Sequence, residues 1–512
     1  MTSTSAKIGA AMAWTMVSRA GRMALGLLTS ALVVRGLGDH DYGVLSLVRS
    51  ILMFVVLLAG VGTGQAVLKF LPELRVAGSR SGARKLVKGV FLAHALAWLA
   101  LLLFALAARG TVGRLFHAEG VGLYVVIAVA LASFEIAFTV ATHVLNASYD
   151  AARLAMAALA SHVLYAIGLV VGFQLEWGII GVLIAAAAGN LLATVMVWGR
   201  VRAATQFDEQ GTAPPATPMT RSRVLRYSLP FAAIGVLNLV VWRQSETLLL
   251  AHFRSAEETG YFDVAYRLPQ MVLEFVPGTV WPLVMAGMSE AFARDRESLR
   301  RAVREYYRML FALCAPICVA GAIAGGRFVE VLYGEAMKPA AIPAQLFFLI
   351  FTVSFLSTPL SMALYVLEKA HVNLLVYLLL AVVNVGLDLV LIPRYGVYGA
   401  IIPVALAIFL QPILYYRLVR RSGAGIEIPM AYIGRCFVGA SPALVMVPLL
   451  VVIDGAAGLF VAAIVGAAAM IAGYRWARVL GADEIRMLVT MPVPWAARVA
   501  ALLDATGSKS TR

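Results

Sequence analysis

Apolar runs of about 20 residues follow one another along almost the whole chain, separated by short polar loops. A run of that length crosses the hydrocarbon of a bilayer as a helix, because lipid offers backbone N–H and C=O groups no other partner. The runs lie near 9–34, 44–71, 86–108, 121–145, 152–174, 178–200, 228–251, 261–289, 306–326, 341–366, 371–392, 397–419, 432–453 and 456–477. The expected fold is therefore an all-α polytopic membrane protein with about 14 transmembrane helices. Composition agrees: of 512 residues, 61% are hydrophobic and 13% charged, where a soluble domain carries about 25% charged residues. The first run contains Arg19 and Arg22, unlike the core of a cleavable signal peptide.

Lys and Arg set the orientation. Basic loops join runs 2 and 3 (Arg75 to Lys88), 6 and 7 (Arg200 to Arg226), 8 and 9 (Arg294 to Arg308) and 12 and 13 (Arg417 to Arg435). About 29 of the 42 Lys and Arg residues fall on that side and about 7 on the other. Both termini are expected in the cytoplasm. The net charge of +15 is mostly this bias, and no nucleic-acid partner is implied. The three cysteines, Cys314, Cys318 and Cys436, form no disulfide framework, and no His or Cys joins Cys314 and Cys318 at metal-ligand spacing.

A shift of about 218 residues superimposes several anchors. Tyr42-Gly43 and Arg49 fall on Gly260-Tyr261 and Arg267, and Trp177-Gly178-Ile179-Ile180-Gly181 on Tyr395-Gly396-Val397-Tyr398-Gly399. Leu115-Phe116 falls within a residue of Leu332-Tyr333. The expected organisation is two pseudo-symmetric six-helix halves, residues 1–200 and 228–421, joined by a cytoplasmic linker, 201–227. Two additional helices occupy 422–480, and an amphipathic tail 481–512. An even number of spans between copies makes the repeat parallel, and parallel halves enclose a cleft that rocking exposes alternately.

Six basic residues interrupt the runs: Arg19, Arg22, Arg49, Lys69, Arg243 and Arg267. A charge at the bilayer centre costs roughly 2.5–3.5 kcal/mol on insertion scales, so such residues face a bundle interior or a wet cavity. Five are arginines on the first two helices of each expected half, and Arg49 and Arg267 are repeat mates. Guanidinium forks of one sign suit an anion, and a diphosphate above all. Each has a blander reading as a side chain reaching to the interface, strongest for Lys69 near a run's end. Asn384 and Asp388, one turn apart, present two oxygens on one helix face, and Glu246 could complete a cation site. A local ion pair explains Asp388 as well. Glu135 and Glu274 are candidates for proton relay or for hydrogen bonds between helices.

Other patterns carry less. Asp39-His40-Asp41 has a metal-site form but lies in a short loop, where a turn or helix cap is expected. Gly60-Val61-Gly62-Thr63-Gly64 lacks the lysine and strand of a phosphate loop and reads as a flexible or closely packed spot in run 2. His94, His143 and His162 are scattered. No catalytic constellation appears, so the chain is not read as an enzyme.

The ordered motifs resemble those of the Wzx-type polysaccharide flippases, relatives of the lipid II flippase and the MATE exporters. The resemblance is carried by Ala13-Trp14-Thr15-Met16-Val17-Ser18-Arg19, Leu37-Gly38-Asp39-His40-Asp41-Tyr42-Gly43, Leu229-Pro230, Gly260-Tyr261-Phe262 and Val331-Leu332-Tyr333-Gly334-Glu335. Asn384-Val385-Gly386-Leu387-Asp388 through Ile392 to Ala400 continues it, so that it covers nearly the whole chain. It implies transport, in a bacterial inner membrane, of an undecaprenyl-diphosphate-linked oligosaccharide from the cytoplasmic to the periplasmic leaflet, for lipopolysaccharide or exopolysaccharide synthesis. By span and repeat position it implies substrate contacts at Arg22, Arg49 and Arg267, supported by Arg19 and Arg243. It implies Na+ or H+ coupling at Glu246, Asn384 and Asp388, no further cofactor, and a polysaccharide polymerase and chain-length machinery as partners. The alternative is a MATE-type exporter of small molecules, which for a cationic drug would want acidic groups where this chain places arginines. An outer-loop polymerase or ligase would need a long loop that is missing here. A transport-inactive scaffold would leave the membrane charges without a purpose.

Overall fold

Hydrogen-bond closure within the backbone explains the architecture of the computed structural model, which describes residues 4–60, 62–117, 120–148, 150–206, 220–240, 245–367, 369–423 and 425–481. The described residues form helices and short connections, with no strand among them. Contacts divide the chain into two compact units, Met1–Gly260 and Tyr261–Arg512.

The first unit contains α1 (Thr4–Gly60), α2 (Thr63–Val76), α3 (Arg80–Leu115), α4 (Val121–Ala147), α5 (Ala151–Gln174), α6 (Gly178–Ala203), α7 (Arg221–Leu239) and α8 (Ser245–Phe253). Helix α1 carries the first expected span and most of the second, leaving helical geometry at Gly38 (φ 76°, ψ −179°). A second break divides the second span between Gly60 and Thr63, where Gly62 has φ 65° and α2 begins. The apolar stripe of α2 (Ala66, Val67, Phe70, Leu71, Leu74) packs on Ala83 to Val90 of α3, Val140 to Leu145 of α4 and Val197 of α6. The opposite pattern appears outside: Leu92, Leu96, Leu99, Leu103 and Phe104 of α3 are exposed. A row of exposed leucines fits a surface that meets hydrocarbon rather than water.

Helices α5 and α6 meet along a seam of small residues. Gly172 faces Gly181, Gly168 faces Ala185, and Gly189 faces Ser161. The pairs run in opposite directions along the two helices, as an antiparallel hairpin requires. Bulk hydrophobicity cannot drive association in lipid, so close backbone approach takes its place.

The second unit holds most of α9 (Ala256–Arg294), with α10 (Arg296–Tyr333), α11 (Ala341–Val366), α12 (Ala370–Arg421), α13 (Met430–Ala440), α14 (Met446–Val452) and α15 (Gly455–Trp476). Helix α12 covers spans 11 and 12 and leaves helical geometry at Gly396 (φ 56°). Gly178, its counterpart under the expected repeat, has φ 52°. Both positions need the left-handed region, which glycine reaches without a steric penalty. Among the described residues, ten helical stretches are long and apolar enough to cross a membrane, including Gly21–Val76 and Val372–Arg421, each overlapping two expected spans. Helices α7 with α8, and α9, account for spans 7 and 8, where charges interrupt the apolar run.

Helices α13, α14 and α15 pack on α10. Ala443, Met446, Leu450 and Ala462 cluster with Ala324. Arg327 donates to the Leu450 carbonyl (3.0 Å) and to Asp454 Oδ1 (3.1 Å), and Tyr474 Oη donates to the Ala312 carbonyl (3.1 Å). The residues 207–219 of the expected linker and the tail from 482 onward lie outside the described residues. Helix α7 starts at Arg221, seven residues before the expected span, because Thr220 caps it by accepting a hydrogen bond from the Arg223 amide (3.2 Å).

The segment after Gly38 is fastened to the start of α9. His40 Nδ1 lies 2.7 Å from Glu257 Oε1, and hydrogen bonds from His40 and Ser255 hold the Glu257 carboxyl below its ordinary range.

Gly189→Ala should destabilise the first unit by about 1–3 kcal/mol, because the new Cβ would approach the Ser161 carbonyl to 2.7 Å. Gly110→Ala, where nothing lies within 4 Å, should be neutral or stabilising by up to about 1 kcal/mol. Thermal unfolding in detergent compares the two. Glu257→Gln should lower stability at pH 7 by less than about 1 kcal/mol, since the pair is largely exposed. The deficit should vanish as the pH falls from about 4.5 through the lowered carboxyl value, where the wild-type carboxylate is itself protonated. Unfolding midpoints at pH 7 and pH 3 read the difference.

Candidate functional site

In the first unit, Arg49 is half-buried on α1, inside a span. Its Nη2 donates to Tyr165 Oη of α5 at 3.0 Å. Glu135 of α4 lies within its electrostatic reach. Arg49 makes no other hydrogen bond among the described residues, so most of its donors remain for another group. The geometry is that of a cation held by a neutral hydroxyl, its charge near an acidic group but without a direct ion pair.

Arg22 is half-buried on α1. Arg19 belongs to the same helix, but its side chain lies outside the described residues, and Arg243 lies outside them altogether. Lys69 sits 4.3 Å from the Tyr227 ring centroid and 5.4 Å from that of Phe70. It is thus occupied by aromatic faces of α2 and α7. Glu246 is fully buried on α8. Ser245 Oγ lies 3.2 Å from its Oε2 and 2.7 Å from the Val240 carbonyl.

In the second unit, Arg267 of α9 pairs with Asp263 one turn before it (Nη2 to Oδ1, 3.4 Å). Phe262 and Tyr266 share the adjoining face and pack edge-on against Phe347 and Phe351 of α11, with centroids 5.7 and 5.0 Å apart. This aromatic seam fixes the rotation of α9 and therefore the direction of Arg267. Asn384 and Asp388 of α12 are fully buried, with Asn384 Nδ2 donating to Asp388 Oδ2 at 3.2 Å. The amide and carboxylate therefore stand together, and their oxygens are suited to a small cation. On α9, Gln270 donates to Glu274 (3.0 Å).

Two partners escaped the sequence reading. Asp263 was legible in principle, since Asp at i and Arg at i+4 share a helix face. Tyr165, separated from Arg49 by 116 residues, left no local signal. The glycine-rich stretch 60–64 is a closely packed break. A Cβ on Gly62 would come within 2.1 Å of the Ser228 carbonyl, and one on Gly64 within 2.3 Å of the His143 ring. In the Asp39-His40-Asp41 stretch, Asp39 Oδ1 accepts from the His40 amide (2.9 Å), a local turn contact. Cys314, Cys318 and Cys436 are buried, and none forms a disulfide among the described residues. Among the described residues, no three His, Cys, Asp or Glu side chains are grouped to hold a metal ion.

No curated protein matches the sequence. The lipid II flippase MurJ, in an inward closed conformation, superimposes with a TM-score of 0.69 at 14% identity, over 90% of this chain and 96% of that one. An inward-facing multidrug resistance MATE family transporter of the MOP superfamily gives 0.65 at 16% identity, over 78% and 95%. A MOP superfamily transporter from Pyrococcus furiosus gives 0.58 at 16% identity, over 82% and 97%. At these identities the likeness establishes the fold. The model of the family described as polysaccharide biosynthesis protein matches residues 32–342, more than half of the chain. The chain therefore belongs to the polysaccharide biosynthesis protein family and has the fold of the MOP superfamily transporters.

Proposed function

We propose that this protein flips an undecaprenyl-diphosphate-linked oligosaccharide from the cytoplasmic to the periplasmic leaflet by alternating access, for cell-surface polysaccharide synthesis. The observation that carries the reading is the pair Arg49 and Arg267. The expected repeat matches their positions, both lie inside expected spans, and Arg49 donates to Tyr165 while Arg267 pairs with Asp263. A diphosphate entering hydrocarbon alone would lose its hydration at a penalty of many kcal/mol. Guanidinium forks can replace that water, while the polyprenyl tail stays in lipid. Arg22 is a further candidate on α1, with Arg19 and Arg243 as supporting candidates by sequence position. The bias of Lys and Arg supports an inner-membrane orientation with both termini cytoplasmic.

Release demands that affinity differ between the inward- and outward-open states. Asn384 and Asp388 are the candidates for coupling that difference to Na+ or H+, with the buried Glu246 as a further candidate. Family membership supports a working relation with a polysaccharide polymerase and chain-length machinery. Small-molecule export of the MATE kind is the second reading, favoured by the likeness to a MATE transporter. The arginines in the spans weigh against a cationic cargo.

Arg49→Ala combined with Arg267→Ala should reduce translocation of labelled undecaprenyl-diphosphate oligosaccharide in proteoliposomes by roughly 100-fold or more. Each lost charge-assisted contact is worth about 1.5–3 kcal/mol. Expression and the detergent melting profile should stay near wild type. Full activity in the double variant would sink the arginine site. Movement of a cationic dye, with none of the lipid-linked sugar, would transfer the reading to drug export.

A further inference from the structure

A groove of about 710 Å3 runs between α2, α3 and α7, lined by Lys85, Lys88, Leu92, Leu96, Thr220 and Leu225 among others. On α3 the positions 85, 88, 89, 92 and 96 follow the three- and four-residue spacing of one helix face. That face is basic at its start and apolar beyond it. Leu92, Leu96 and Leu225 are 60%, 59% and 55% exposed. A Cβ on Gly89 would meet nothing within 4 Å, so the groove is open between its basic and apolar parts. Its back wall is Thr63, Leu86 and Val90, all buried.

The charges in this neighbourhood divide into two kinds. Arg223 is taken by Glu73 (3.1 Å) and the Phe70 ring, and Lys69 by Tyr227. Lys85 and Lys88 make no ion pair or hydrogen bond with any described residue. Depth is set by the sequence of α3. The uncharged run from Gly89 to Ala108 spans about 30 Å as a helix, the thickness of the hydrocarbon. Lys85 and Lys88 therefore stand at headgroup level, and Leu92 and Leu96 beside the upper acyl chain.

We propose that this groove binds an anionic glycerophospholipid of the surrounding bilayer. Its phosphate rests on Lys85 and Lys88, and an acyl chain lies along Leu92, Leu96 and Leu225. An exposed ammonium pair one turn apart suits a headgroup phosphate that carries a single charge. The depth fits a resident lipid, whose phosphate stays at the interface, rather than a headgroup crossing the midplane. Thr220, the cap of α7, lines the same groove, so an occupying lipid braces the start of α7 against α3. The proposal depends on membrane insertion and not on the identity of the cargo.

Native mass spectrometry of the full chain, titrated with phosphatidylglycerol and with phosphatidylcholine, tests it. Wild type should prefer phosphatidylglycerol, and Lys85→Gln with Lys88→Gln should weaken that binding roughly tenfold or more. Arg417→Gln with Arg420→Gln, at another basic helix end, should not. A phosphatidylglycerol carrying a photoreactive acyl chain should crosslink to residues 89–96 and 224–225 in wild type, a readout that needs no variant to fold. Equal phosphatidylglycerol binding by the lysine double variant, or crosslinks confined elsewhere, would overturn the proposal. So would displacement of the crosslink by undecaprenyl diphosphate but not by excess unlabelled phosphatidylglycerol, since the groove would then belong to the cargo.

Discussion

Every backbone polar group in the hydrocarbon must find its partner within its own helix, and the rest of this structure follows from that requirement. Helices are the only regular elements among the described residues, and at the break between Gly60 and Thr63 the Thr63 hydroxyl donates to the Gly60 carbonyl (2.8 Å). Gly38, Gly62 and Gly396 leave helical geometry, and around Gly62 the chain of α7 approaches so closely that a single methyl group would not fit. Because lipid rewards no apolar burial between helices, the α5–α6 seam relies on small residues and close contact. The exposed leucines of α3 are the other face of the same physics.

Charge obeys a stricter rule. A cation inside a span must be held by something other than bulk water, and the chain uses three devices. Arg267 has a carboxylate one turn away, Arg49 a tyrosine hydroxyl from another helix, and Lys69 two aromatic faces. The devices leave different capacities. An aromatic clasp occupies the ammonium, whereas a single phenol leaves Arg49 most of its donors. This difference makes Arg49 the stronger candidate for meeting an anionic cargo and Lys69 a packing element. The same reasoning separates Arg223, committed to Glu73, from Lys85 and Lys88 at the groove.

Much of the architecture was legible because length and hydropathy encode a span directly. The described residues of the expected spans fall almost entirely on helix. The joins were less legible, since a merged helix such as α1 or a break such as that between Gly60 and Thr63 depends on what packs against it. The early start of α7 was readable from Thr220 as a cap but lay in a segment dominated by proline and glycine signals. Of the candidate site, the intrahelical pairs Asp263–Arg267 and Asn384–Asp388 could be inferred from spacing alone. Arg19 and Arg243 were equally visible as charges, yet their side chains lie outside the described residues.

The sequence by itself determined the membrane class, the succession of helices and which charges fall within spans. These follow from local composition and from spacing of three or four residues on a helix. Only the tertiary structure decided which partner each charge meets, because Arg49 to Tyr165 and Arg223 to Glu73 join residues more than a hundred positions apart. Tertiary packing likewise decided that α3 and α7 leave an open groove beside two unpaired lysines. A helix's composition states that it must cross the membrane. Its neighbours alone settle which face turns inward, since lipid and protein interior are nearly equally apolar.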